Sequence, residues 1–241
     1  MAKQQRLTVA KNVQTAAQPV LKEGFVLKNV RIIYKKKSLL KFVSHLDMNR
    51  FMTRVLRRTN IPFWYTEGFN THLYINFALP LSLGFESDYE IMDLKLTDDA
   101  YSFDDAKREL DRVMPEYIEV VSVVSPWMKN AEIAFAEFSV VFDDTVFAKE
   151  LENFLSSNEI LTQKKSKKGT LKTINLAEKI KKFSIIENNG NTELKIILPA
   201  GSSENINPVL LLDAFKDANG YLPDYEITRL SVLNINLELF I

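Results

Sequence analysis

Residues 42–90 read FVSHLDMNRFMTRVLRRTNIPFWYTEGFNTHLYINFALPLSLGFESDYE and begin with the pattern of an amphipathic helix. Ser44 is a favourable N-cap, and Asp47 places a carboxylate in the positively polarised first turn. The helix must end before Pro62, because the residue that precedes a proline is driven out of the α conformation. An apolar stripe recurs at helical spacing through Met48, Phe51, Met52, Val55 and Leu56.

The other side of this helix is strongly cationic. Four arginines lie off the apolar stripe: Arg50, Arg54, Arg57 and Arg58. Guanidinium groups bind phosphates as two-pronged donors, so this side predicts a polyanion-binding surface. Phe69 and Asn70 in the following Gly-Phe-Asn turn are candidates for contacts with single-stranded bases. The alternative is that Arg50 and Arg54 pair with Asp47 or with the acidic segment that follows in the chain.

A dense motif pattern runs through and beyond this helix. Its residues are Ser44, His45, Leu46, Asp47, Arg50, Arg54, Arg57, Arg58, Gly68, Phe69, Asn70, His72, Leu79, Pro80, Leu81, Gly84, Ser87 and Glu90. The pattern resembles the bacterial radical SAM-associated domain of unknown function, densely over residues 31–97 and weakly at residues 167–170 and 228–230. The family usually has proline on each side of the second histidine, where this chain has Thr71 and Leu73. The resemblance implies a radical SAM protein as partner, and no settled activity.

The composition excludes several classes of protein. The chain has no cysteine, so it holds neither a disulfide nor an iron–sulfur cluster, and a radical SAM enzyme must be a separate partner. We expect no cofactor. No run of 18 apolar residues is present, so we expect no membrane span and a cytoplasmic protein. Residues 1–25 lack the apolar centre of a secretory signal and are expected to form a mobile polar extension.

The net charge of zero conceals segregated charges. Residues 31–75 hold nine basic and two acidic residues, and residues 161–182 hold eight and one, a net charge of +7 in each case. Residues 83–160 hold nineteen acidic and six basic residues, a net charge of −13. Two basic segments are typical of a nucleic-acid footprint. The alternative is that these charges lie on solvated faces and cancel in the folded protein.

The second basic segment contains a short lysine run. Its members are Lys164, Lys165, Lys167 and Lys168. They are expected at a hairpin or loop tip, where they form part of the same polyanion-binding surface as the arginines. The alternative is a solvated mobile loop.

The order of predicted elements indicates the fold. Residues 27–125 read as strand, helix, strand, strand, helix, strand, which is the split βαβ arrangement of a ferredoxin-like domain. Residues 39–43 are expected to continue the first strand and residues 73–79 to form another. The order recurs in elaborated form after residue 130. We therefore predict an α+β protein with tandem ferredoxin-like domains and antiparallel sheets, at residues 26–126 and 131–241.

The two histidines, His45 at the helix start and His72 in the loop, are candidates for acid–base chemistry together with Asp47. The alternative is that His45 supports the cap and His72 bonds within the turn. Two histidines and one aspartate lack a diagnostic metal-ligand spacing, so no metal site is predicted.

These observations support three function hypotheses. The first is a cytoplasmic accessory protein that binds RNA or a ribosomal component and works with a separate radical SAM enzyme. The second is an RNA endonuclease or RNA-modifying enzyme that uses His45 and His72, which rests on a fold-level likeness to the CRISPR repeat-processing endonucleases. The third is a protein–protein docking subunit. The sequence leaves open whether any reaction is catalysed.

Overall fold

Alternating strands and helices run through the computed structural model, which describes residues 26–165 and 171–241. The elements of the first half are β1 Lys28–Lys36, α1 His45–Leu56, β2 Asn76–Phe77, β3 Glu86–Leu96, α2 Phe103–Val113 and β4 Ile118–Val124. Those of the second half are β5 Phe135–Phe142, α3 Ala148–Leu155, β6 Leu161–Lys165, β7 Leu171–Asn175, β8 Lys182–Asn188, β9 Asn191–Pro199, α4 Pro208–Asn219 and β10 Tyr225–Leu233. The expected extension, residues 1–25, lies outside the described residues.

The two halves repeat the strand order of a ferredoxin-like sheet. The first half is ordered β4-β1-β3 with β2 also on β3, and the second is ordered β10-β5-β9-β8, with antiparallel neighbours in both. A short parallel contact between β3 and β10, at Glu86–Thr228 and Ser87–Arg229, joins the halves into one sheet. The predicted α+β class with tandem ferredoxin-like antiparallel sheets is confirmed. The domain boundaries at residues 126 and 131 stay a prediction.

The core has two clusters of buried side chains. The first lies between α1, α2 and one set of alternating residues from β1 and β3, such as Ile32 and Leu94. The second packs α3 and α4 on β5, β9 and β10, and it extends to Ile33 and Ile91, which alternate with the first set. The sheet of the first half therefore has buried side chains on both faces, and the second half contributes to one of those layers.

Three local predictions differ from the structure. Residues 39–43 do not continue β1, because Ser38 takes a positive φ of 55° and opens a 3-10 turn at Ser38–Phe42. The predicted strand at residues 73–79 is reduced to β2, since this edge of the sheet pairs through isolated bridges such as Tyr65–Leu73. Phe51, placed within the apolar stripe, is only half-buried. None of the described helices is long and apolar enough to cross a membrane.

Candidate functional site

Helix α1 begins as the sequence predicts. The Ser44 hydroxyl accepts a hydrogen bond from the backbone N–H of Asp47 at 3.2 Å and donates one to Asp47 Oδ2 at 2.8 Å. This cap fixes the start of the helix and therefore the direction of each later side chain. The buried side consists of Met48, Met52, Val55 and Leu56. The arginines lie on the opposite side and face solvent.

The structure shows what each arginine contacts. Arg50 forms an exposed 3.3 Å ion pair with Asp47, and the Arg57 guanidinium lies 6.0 Å from the centre of the Tyr65 ring. Arg54 has no hydrogen bond or ion pair with any residue that the structure describes. Arg58 donates a hydrogen bond to the Val113 carbonyl at the end of α2, and this bond stabilises that helix terminus. We call the exposed set Arg50, Arg54 and Arg57 the Arg face.

Other cations of the same basic segment are paired. Lys35, Lys37 and Lys41 reach carboxylates of Glu119, Asp88 and Glu226 at 2.9, 2.9 and 2.7 Å. On α2 every cation has a carboxylate neighbour on its own helix: Lys107–Asp111, Arg108–Asp105 and Arg112–Glu109. The charges of these lysines and of the α2 cations are therefore cancelled by neighbouring carboxylates. Arg54 and Arg57 have no such carboxylate among the described residues.

The loop beside the Arg face, residues 66–72, is held by its own hydrogen bonds. His72 Nδ1 lies 2.9 Å from the Asn70 carbonyl, and a bond to that acceptor requires the ring proton on Nδ1. Thr66 Oγ1 lies 2.9 Å from the same nitrogen and also accepts from the His72 backbone N–H. Phe69 is fully exposed at the tip, and Asn70 is also exposed. His72 thus supports the turn that presents Phe69 to solvent.

The two candidate histidines have separate surroundings. The exposed His45 ring meets Phe77 edge-on, with 5.2 Å between ring centres, whereas His72 bonds within its loop. Among the described residues no contact joins the two imidazoles, and no group of three metal-ligating side chains is present. A shared acid–base role for His45, Asp47 and His72 stays a prediction.

The lysine run is only partly described. Lys164 and Lys165 belong to β6, which pairs with β7 in a separate two-stranded sheet as the predicted hairpin requires. Lys167 and Lys168 lie outside the described residues. A common surface formed by this run and the Arg face stays a prediction.

A buried ion pair that no motif in the sequence predicted lies where the halves meet. Arg229 donates from Nη2 to Glu90 and from Nη1 to the Leu79 carbonyl at 2.9 Å, and both charged side chains are almost fully buried. Burial, and then the charge of Glu90, raise the pKa of neighbouring Tyr34 well above its usual value. Burial lowers the pKa of Lys36, although the Glu90 charge opposes this effect.

A second ion pair links Arg31 of β1, which is buried, with Asp93 of β3, which is partly exposed, at 2.7 Å. The sequence carried only a weak signal for both pairs: each charge has an apolar neighbour in its strand, but β1, β3 and β10 hold other charged residues as well. Such a charge is buried only when it is paired, and opposite charges on neighbouring strands would have indicated the partners.

The family comparison covers most of these elements. A model of the family described as "Uncharacterized protein conserved in bacteria (DUF2344)" matches residues 29–208. The chain belongs to this family. The DUF2344 match includes the Arg face, loop 66–72 and both Arg31 and Asp93, and it ends before Arg229. No curated protein matches the chain.

Two solved structures share a distant likeness. A chain of a Cbf5–Nop10–Gar1 complex has a TM-score of 0.46 at 10% identity, with 84% of this chain and 48% of that chain covered. This chain thus spans about half of that one. A putative glycine cleavage system transcriptional repressor has a TM-score of 0.25 at 11% identity, with 85% of this chain and 99% of that chain covered. Both TM-scores are below 0.5, so neither likeness bears on function.

Proposed function

We propose that this DUF2344 protein is a cytoplasmic accessory module that binds RNA on the Arg face and loop 66–72 and works with a separate radical SAM protein. The observation that carries the RNA proposal is that Arg54 and Arg57 are exposed without a carboxylate neighbour among the described residues, whereas all three cations of α2 have one. Guanidinium groups at one-turn spacing bind successive phosphates. The radical SAM partner rests on the sequence resemblance.

Loop 66–72 supports RNA rather than a simpler polyanion. Its Phe69 ring is fully exposed, and the stacking of a base on an exposed aromatic ring is favourable. The loop reaches the Arg face through Tyr65, which lies beneath Arg57. A strand whose phosphates contact the arginines can therefore place a base near the loop, as single-strand binding requires.

The test is fluorescence anisotropy of a short labelled single-stranded RNA at several salt concentrations. The variant Arg50→Ala/Arg54→Ala/Arg57→Ala removes three candidate phosphate contacts. The slope of log affinity against log salt should become shallower by about 1.4–2, since each contact contributes roughly 0.7 for single strands and Arg50 is already paired with Asp47. These side chains are exposed, so circular dichroism and the unfolding midpoint should stay close to those of the wild type.

The matched control is Lys107→Ala/Arg108→Ala/Arg112→Ala on α2. It removes the same number of positive charges from a helix whose cations are paired. We expect the salt slope of this control to stay close to that of the wild type. An equal decrease of RNA affinity and salt slope in both triple variants would mean that net charge alone drives binding. Wild-type protein that shows no salt-dependent RNA binding would refute the proposal.

A second candidate function, protein docking, is favoured by an exposed apolar patch. Leu39 and Phe42 of the 3-10 turn and Leu83 of the loop between β2 and β3 are each more than 60% exposed. The backbone N–H of Gly84 donates to the Lys41 carbonyl at 2.7 Å, so the turn and the loop are adjacent. Solvent-exposed apolar clusters are typical of protein contacts. Binding of the radical SAM protein that is insensitive to salt and lost in Phe42→Ser would support this function.

The enzymatic alternative requires His45 and His72 to act on one RNA bond. An RNA cleavage assay that compares wild type with His45→Ala tests it directly. Equal products, or none, from both proteins would leave the binding module as the better description.

A further inference from the structure

A cleft of about 420 Å³ opens on the first half of the sheet, beside the segment that links the halves. Its volume lies in the range of roughly 300–1,000 Å³ that small-molecule sites occupy. The residues that matter for its chemistry are Arg31, Tyr74, Asp93, Lys95, Trp127 and Asn130. We call this site the Trp127 cleft. Its lining residues include none of the Arg face.

The floor of the Trp127 cleft is a fixed charged group. Arg31 is only 1% exposed, donates from Nε and Nη2 to the two oxygens of Asp93, and donates from Nη2 to Asn130 at 2.9 Å. Its guanidinium carbon lies 4.4 Å from the centre of the Phe240 ring. Nη1 is buried and has no acceptor among the described residues. A buried donor without an acceptor is unfavourable, so the bonds to Asp93 and Asn130 must hold this charge in place.

The walls combine aromatic rings with cations. Trp127 is 80% exposed, although its backbone N–H is held by the Ile241 carbonyl at 3.3 Å. Lys95 Nζ lies 5.0 Å from the centre of the Tyr74 ring and 5.3 Å from that of Trp64. With Lys129, three basic residues and one acidic residue line the cleft. An exposed indole beside ammonium groups suits a planar ligand that carries an anion.

The strand edge connects this cleft with the Arg face. Along residues 63–65, Phe63 is buried in the core, Trp64 contacts Tyr74 beside the cleft, and Tyr65 lies beneath Arg57. Side chains of an extended segment alternate between its two sides, so Trp64 lies towards the cleft and Tyr65 towards the Arg face.

We propose that the Trp127 cleft binds one nucleotide, with the base stacked on Trp127 and the phosphate held by Lys95. The ligand chemistry is that of a nucleoside 5′-phosphate, supplied either free or as an unpaired residue of a single-stranded RNA. The second source rests on the proposed function, whereas the first is independent of it. Asn130 and Asp93, already fixed by Arg31, offer polar groups to the base edge.

Tryptophan fluorescence reports on this site because the chain has two tryptophans, Trp64 and Trp127. The variant Trp64→Phe leaves Trp127 as the single emitter and keeps an aromatic ring beside Lys95. The probes are adenosine 5′-monophosphate and an eight-residue oligoadenylate. Saturable quenching by the mononucleotide identifies a free nucleotide as ligand, and quenching by the oligonucleotide alone identifies an RNA strand. Both results support the cleft.

In the same background, Lys95→Ala should weaken binding by roughly tenfold, the effect expected for one hydrogen bond to a charged group. The matched control is Lys182→Ala, which removes an exposed lysine from β8 and should leave the affinity unchanged. Arg31 is not a useful target, since its loss would leave Asp93 without its buried partner. Equal affinities of Lys95→Ala and Lys182→Ala would overturn the proposal.

The experiment separates this inference from the proposed function. If the oligonucleotide binds by anisotropy but neither probe changes Trp127 emission, the cleft inference is wrong and the Arg face stands. If the mononucleotide quenches Trp127 but no RNA binds, the cleft stands and the RNA proposal is wrong. The Arg-face triple variant should keep its mononucleotide quenching, because its arginines do not line the cleft.

Discussion

Replacement of Arg229 by methionine should destabilise the protein strongly, although Arg229 lies far from the Arg face in sequence. The side chain is 2% exposed, and the Glu90 side chain that it pairs with is 6% exposed. A methionine side chain occupies much of the same space but has no hydrogen-bond donor. It therefore leaves the Glu90 carboxylate and the Leu79 carbonyl without the hydrogen bonds that Arg229 provides.

The magnitude follows from this burial. Breaking a buried ion pair by removing one partner costs roughly 3–5 kcal/mol, because an uncompensated charge remains. Lys36 is buried nearby, and the Glu90 charge acts on it, so part of the lost attraction can be recovered. We therefore expect a loss of about 3 kcal/mol, the lower end of that range. A domain of ordinary stability, roughly 5–15 kcal/mol, would stay folded.

Urea unfolding followed by circular dichroism measures the effect. The matched control is Lys107→Met, since Lys107 pairs with Asp111 on the surface of α2, where a pair contributes at most about 1 kcal/mol. The double variant Glu90→Leu/Arg229→Met removes both charges and should recover much of the loss. The reasoning is refuted if Arg229→Met costs no more than Lys107→Met, or if the double variant is less stable than Arg229→Met.

Three further predictions concern stability. Burial raises the pKa of Tyr89 from 10.0 to about 12, so the stability that this group contributes below pH 10 is lost as the pH rises through 12. Tyr89→Phe should make this alkaline loss of stability less steep, by at most about 1.4 kcal/mol per pH unit. Urea titrations at several pH values measure the slope. Met52→Ala should cost roughly 2–5 kcal/mol and more than Phe51→Ala, since Met52 is fully buried and Phe51 is not; equal midpoint shifts would contradict this order. Gly201→Ala should lower the thermal midpoint, because its φ is +139° and a Cβ would lie 2.4 Å from the Ile133 carbonyl oxygen; an unchanged midpoint would contradict this steric argument.

Much of the fold followed from local chemistry in the sequence. Ser44 and Ser102 cap α1 and α2 as hydroxyl residues do at helix starts. The turn at Asn188-Asn189-Gly190, between β8 and β9, is equally local in origin, since Asn189 and Gly190 take the positive φ values that such turns need. The secondary structure of residues 73–79 was harder to predict. Their apolar pattern indicates burial, but it does not reveal the irregular backbone pairing of a sheet edge.

The candidate site was predictable only in part. Helical spacing placed Arg50, Arg54 and Arg57 on one face, but whether a charge is cancelled depends on distant chain segments. Lys41 pairs with a carboxylate 185 residues away, which no local pattern reveals. The Trp127 cleft has the same origin, because Arg31, Lys95 and Trp127 come together only when the sheet and the linking segment are in place.

The joint between the halves and the Trp127 cleft depend on the same contacts. The parallel contact of β3 with β10 consists of two residue pairs, so backbone hydrogen bonds alone give a weak connection. Side chains reinforce it: the Tyr89 hydroxyl donates to the Phe240 carbonyl at 3.0 Å, and Arg31 lies against the Phe240 ring. The next residue, Ile241, accepts the backbone N–H of Trp127. A shift of residues 239–241 would therefore disturb the floor and the wall of the cleft together, which makes nucleotide binding sensitive to how the two halves are joined.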